Sequence, residues 1–101
     1  MTAFQESCLT TLTSVYEDHG IRPHTETVKT RDSELMQSKP GDVYIRHVFE
    51  HQGHKFEVFV YVDEAGFFLD GAWHGFERED FPTEEDIIAA VSGELRSSLN
   101  G

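Results

Sequence analysis

A chain of 101 residues with 19 Asp and Glu against 8 Lys and Arg carries a formal charge of −11 at neutral pH. With 38% hydrophobic and 27% charged residues, it reads as a single globular domain, 1–101, burying roughly two thirds of its unfolded surface. The acid excess argues against direct binding to nucleic acid, which needs Lys and Arg to displace phosphate counterions, and against docking on anionic lipid.

Met1 to Ser7 has neither the basic start nor the apolar stretch of a signal peptide, and no run approaches the roughly 18 apolar residues of a membrane span. A cytoplasmic setting is therefore expected. Phe4, Cys8, Leu12 and Val15/Tyr16 recur at helical spacing, which predicts an amphipathic helix over 3–18 closed by His19-Gly20. The lone Cys8 lies on that apolar stripe and excludes an internal disulfide; a buried packing thiol is the expectation.

Pro23 to Arg31 is rich in Thr and poor in large apolar residues, as an edge strand is. Asp32 to Gly41 reads as a loop, with Leu35-Met36 able to tuck it onto the core and Lys39-Pro40-Gly41 as a turn. Asp42 to Trp73 alternates as a three-stranded meander. Its first turn, at Gln52-Gly53, sets Glu50 opposite Lys55, Phe49 opposite Phe56 and Tyr44 opposite Tyr61. Asp63-Glu64-Ala65-Gly66 is the second turn, after which Phe67, Leu69, Gly71 and Trp73 share a face. Thr83 then caps a final helix whose acids Glu84, Glu85 and Asp86 suit its dipole and whose stripe is Ile87, Ile88, Val91 and Leu95. The expected fold class is α+β: helix, weak edge strand, antiparallel meander, helix, with the helices packed on the sheet.

Six histidines raise the question of a metal. His47 and His51 share a strand face but stand about 13 Å apart, too far for two ligands of one zinc. His51 and His54 flank a tight turn and could share an ion only with a third ligand from Glu50, His74 or another molecule. His47, among Val43, Ile45 and Phe49, reads as a core histidine with one satisfied hydrogen bond. Asp70-Gly71-Ala72-Trp73-His74-Gly75 is the most enzyme-like string, yet no residues fill nucleophile, base and stabiliser roles together, and neither a nucleophile elbow nor a phosphate loop occurs. No enzymatic activity, cofactor or metal is expected.

Two features point to binding. Residues 57–101 hold 11 acids and 2 bases, whereas residues 1–56 hold 8 acids and 6 bases. Within 77–86, six acids (Glu77, Glu79, Asp80, Glu84, Glu85, Asp86) face one base, Arg78. Helix capping accounts for only part of that density, and a basic partner would relieve its repulsion. The second feature is a sheet apolar on both faces: Tyr44, Arg46, Val48, Phe59, Tyr61 and Phe68 occupy the face where an antiparallel sheet usually meets water. Either a helix or the 32–41 loop covers these residues, or a partner does.

The expectation is a small acidic, non-enzymatic protein that inhibits or neutralises a basic partner, as immunity proteins, antitoxins and anti-defence inhibitors do. That partner would be a nuclease toxin or another nucleic-acid-binding protein. Glu77, Glu79, Asp80, Glu84 and Glu85 would supply the charge, and Tyr44, Arg46, Phe59, Tyr61 and Phe68 the anchors. A homodimeric structural or chaperone-like module joined through the aromatic face is the alternative. A metal-dependent or acid–base enzyme using His51, His54 or Asp70 with His74 is a weaker one.

Overall fold

A computed structural model describes residues 1–29 and 42–101. Helix α1 (Ala3–Asp18) is followed by five strands, β1 (His24–Lys29), β2 (Val43–His51), β3 (His54–Val60), β4 (Ala65–Leu69) and β5 (Ala72–Phe76). A single 3-10 turn (Arg78–Asp80) then leads to helix α2 (Glu84–Asn100). The strands pair antiparallel in chain order, β1-β2-β3-β4-β5, so β1 and β5 are the edges of one five-stranded meander. The fold is α+β.

Local chemistry sets the ends of each element. Thr2 and Gln5 form a reciprocal capping box at the start of α1. At its other end Gly20, with φ of 67°, lets the Gly20 N–H reach Glu17 O and the Ile21 N–H reach Tyr16 O, closing a Schellman motif. Thr83 caps α2 by accepting from the Asp86 N–H at 3.2 Å. Gln52 and Gly53, both at positive φ, make the tight β2–β3 hairpin. That turn sets Glu50 against Lys55 and stacks Phe49 on Phe56 at 5.0 Å.

Both helices pack on the same face of the sheet. Phe4, Cys8, Leu12, Val15 and Tyr16 of α1, and Ile87, Val91, Leu95 and Leu99 of α2, enter one core with Ile45, Phe49, Phe56, Val58, Val60, Ala65 and Phe67. Cys8 is buried, and desolvation pushes its thiol up to about 12, so it packs rather than reacts. Neither helix covers the second face. The Asp32–Gly41 loop, with Leu35-Met36 and Lys39-Pro40-Gly41, lies outside the described residues.

Three sequence expectations are corrected. The Asp42–Trp73 region holds three strands and enters a fourth, because Asp70 and Gly71, both at positive φ, form another tight hairpin turn rather than continuing a strand. That turn reverses the chain and sets Trp73 opposite Phe68, on the face away from the helices, not beside Phe67 and Leu69. The Asp63–Gly66 turn is also displaced: Val60 pairs with Ala65 and the Tyr61 N–H reaches Glu64 O, so Ala65 and Gly66 already belong to β4.

Candidate functional site

The open sheet face is built from rows of cross-strand neighbours. One row runs Val48, Glu57, Phe68 and Trp73; the next runs Glu26, Arg46, Phe59, Gly66 and Gly75. Beyond it, Tyr44 faces Tyr61 with ring centroids 5.6 Å apart. The rings form a continuous path: Tyr61 stacks on Phe59, Phe59 meets Phe68 edge-on at 5.9 Å, and Phe68 meets Trp73 at 4.8 Å. Tyr44, Phe59, Tyr61 and Phe68 are half-buried, and Trp73 is 45% exposed.

Trp73 owes its position to two missing side chains. A Cβ on Gly66 would lie 2.6 Å from the six-membered ring of the indole, and one on Gly75 2.6 Å from Nε1. Gly66 and Gly75 are paired across β4 and β5, so the indole lies across both backbones, a close approach that only glycine permits.

On the β1 side the face is electrically closed. Arg46 donates to Glu26 at 3.2 Å and to Glu57 at 2.9 Å, and Lys55 adds a second contact to Glu57 at 3.5 Å. The Arg46 guanidinium holds the Glu57 carboxyl below its usual range. Arg46 is therefore part of a cross-strand ladder of charges.

The β4–β5 side is the opposite. Beyond the Ala65–Phe76 pair the chain continues into Glu64, which is buried, and Glu77, whose charge acts on it at the edge of the aromatic path. Desolvation raises the Glu64 carboxyl, and the charges of Asp63, Glu77 and Glu79 raise it further. Asp63 is raised by burial, and its Oδ1 is buried with no hydrogen-bond partner among the described residues. Glu77 is raised chiefly by a side-chain hydrogen bond with Glu79. Arg78 donates to Phe81 O at 2.8 Å, and its charge offsets part of the rise at Asp63.

The fold thus divides the sequence-predicted acids. Glu77 and Glu79 join Asp63 and Glu64 beside the rings, with the Asp80 charge acting on Glu77. Glu84 and Glu85, in the first turn of α2, line a depression with Ala3, Phe4, Ser7 and Ile88 in the helix layer. Asp63 and Glu64 escaped sequence reasoning because a turn explains such residues cheaply. Trp73 escapes it because period-two alternation carries Gly71 on as strand, whereas the Asp-Gly pair signals a turn.

The histidines have other duties. His47 is buried, shares a 2.9 Å hydrogen bond with the Tyr16 hydroxyl and is lowered by desolvation to about 4. His54 bonds the Asp70 carboxylate, which also accepts from the Lys55 N–H, while His74 stacks on Phe67 at 4.9 Å. Asp70 and His74 are thus engaged with different partners. Among the described residues, no three His, Cys, Asp or Glu side chains are grouped to hold a metal ion, and no helix is long and apolar enough to cross a membrane. Comparison with protein-family models, curated proteins and solved structures gave no match.

Proposed function

We propose that this chain is a small acidic binding protein that captures and neutralises a basic protein through the open sheet face. The observation that carries the reading is the juxtaposition, on one surface, of an aromatic path ending at Trp73 and the acidic pair Glu77 and Glu79, with the buried Glu64 behind them. Aromatic side chains desolvate well and anchor interfaces, while like charges steer an oppositely charged partner from a distance. A basic nuclease toxin or nucleic-acid-binding protein fits, since such proteins already present Lys and Arg to polyanions. Tyr44, Phe59, Tyr61, Phe68 and Trp73 form the contact centre, and Glu77, Glu79 and Asp80 the rim. Glu84 and Glu85, in the helix layer, contribute only long-range field.

Self-association through the same face is the competing reading. It would bring the acidic rims of two copies toward each other while Arg46 stays occupied at home, so a second copy offers these carboxylates little. A pair of variants separates the two. Immobilised wild-type chain should retain from host extract a protein of net positive charge that salt releases. Replacing Glu77 and Glu79 with Lys should slow its association by about tenfold or more, and Phe59→Ser should speed its dissociation. A neutral or acidic protein held equally by all three chains would refute the proposal. A micromolar dimer that Tyr61→Glu dissociates would give the face to a second copy.

A further inference from the structure

The indole of Trp73 is the chain's single tryptophan and the most exposed large ring on the open face. It is also fixed. The Gly66 and Gly75 backbones floor it, and Phe68 and Phe59 hold it at 4.8 Å and 6.1 Å. A flat, immobile, half-exposed indole is the strongest side-chain platform for a cation, because its π face is negative and little entropy is lost on stacking.

The strand pleat then supplies a counter-ion. Trp73, Gly75 and Glu77 alternate onto one face, and Glu77 remains extended, with φ −90° and ψ 146°. Nε1 lies over Gly75 and the six-membered ring over Gly66, so the indole runs across β5 and β4, and Glu77 stands about 7 Å beyond Gly75 along the strand, flanking the ring. A planar cation lying on the indole reaches the carboxylates at the rim with its far edge. Arginine has that shape: its guanidinium stacks on rings, sheds water more readily than an ammonium and offers two parallel N–H groups to a carboxylate. Lysine, a hydrated point charge, gains less from the same surface.

We infer that the anchor taken by this face is an arginine side chain of the partner, stacked on Trp73 with its guanidinium directed to Glu77. The inference rests on the basic-partner reading and narrows it to one residue type. Nona-arginine and nona-lysine peptides of equal length and charge are the probes, read at low salt through Trp73 emission and through anisotropy of labelled peptide. Nona-arginine should bind about tenfold more tightly than nona-lysine and shift the Trp73 emission. Trp73→Leu should shrink that preference to about twofold. Glu77→Gln, which keeps the fluorophore, should weaken arginine binding more than lysine binding. Equal affinity for the two peptides, or a preference that survives Trp73→Leu, overturns the arginine assignment and leaves the acidic-surface reading intact. Failure of either peptide to bind overturns both. An emission shift with protein concentration alone places a second copy on the indole and overturns the arginine.

Discussion

Gly66 and Gly75 face each other across β4 and β5, and the same missing Cβ has different consequences at the two positions. At Gly75 the three atoms nearest an added methyl all belong to Trp73, the closest being Nε1 at 2.6 Å. At Gly66 it would also meet the backbone oxygen of His74 at 2.7 Å, which no rotamer change can clear. Gly75→Ala should therefore cost about 1–3 kcal/mol in the native chain and close to nothing in a Trp73→Ala background, since the clash leaves with the indole. Gly66→Ala should keep most of its cost in both backgrounds. Urea unfolding of the double-mutant cycle measures the difference; equal coupling at the two glycines would mean that the indole is not seated as described.

The aromatic path was only partly legible in the sequence for a reason that operates at this scale. Strand side chains alternate with period two, so a misread turn sends every later residue to the wrong face. Tyr44, Phe59, Tyr61 and Phe68 precede Asp70-Gly71 and were placed by simple alternation. Trp73 follows it, and alternation carried through Gly71 assigns it to the core side.

Among the elements, α1 shows how much docking rests on one polar residue. Gln5 is fully buried. Its Nε2 donates to Val43 O at 2.7 Å and Val60 O at 3.4 Å, while its Oε1 accepts from the Thr2 N–H at 2.9 Å. Thr2 adds a bond from its hydroxyl to Val62 O at 2.7 Å. The helix start is thereby bonded to the first residue of β2 and the end of β3. Gln5→Glu would set a carboxylate against two carbonyl oxygens, and a loss of about 2–4 kcal/mol is expected at neutral pH. Acidification should restore part of that loss, because a protonated Glu can donate where Gln does. A loss of the same size at pH 7 and pH 5 would deny the contact. The stripe Phe4, Cys8, Leu12 and Val15 made this helix readable in the sequence, as Ile87, Val91 and Leu95 did for α2. Gln5 was not readable as an anchor, because its partners are backbone carbonyls 38 and 55 residues away and carry no side-chain signature.

Across the whole molecule, two titrations pull stability in opposite directions as pH falls. The buried His47 is neutral in the fold, with its pKa lowered to about 4 from an ordinary 6.5. The unfolded chain therefore takes up this proton first. The stability tied to neutral His47 is complete above about pH 6.5 and is lost as pH falls toward 4, by about 3 kcal/mol at its limit. The carboxyls of Asp63, Glu64 and Glu77 are raised in the fold, by burial at Asp63 and Glu64 and by the Glu79 hydrogen bond at Glu77. Their ionised forms cost stability above the folded pKa, and that cost is relieved as pH falls toward the unfolded values near 4. Between pH 6.5 and 4.5 the two effects oppose each other. His47→Gln, which keeps a partner for Tyr16, removes the destabilising branch, and its urea midpoint should rise on acidification relative to wild type. Glu64→Gln removes part of the relief and should fall more steeply. Three parallel curves would show that neither group titrates as its burial requires. Glu77 also belongs to the proposed contact rim, so acidification that stabilises the His47→Gln chain should weaken its hold on a basic ligand. At Glu77 the strain in the free protein and the attraction for a partner then share one origin, the crowding of its carboxyl against Glu79 at the edge of an aromatic surface.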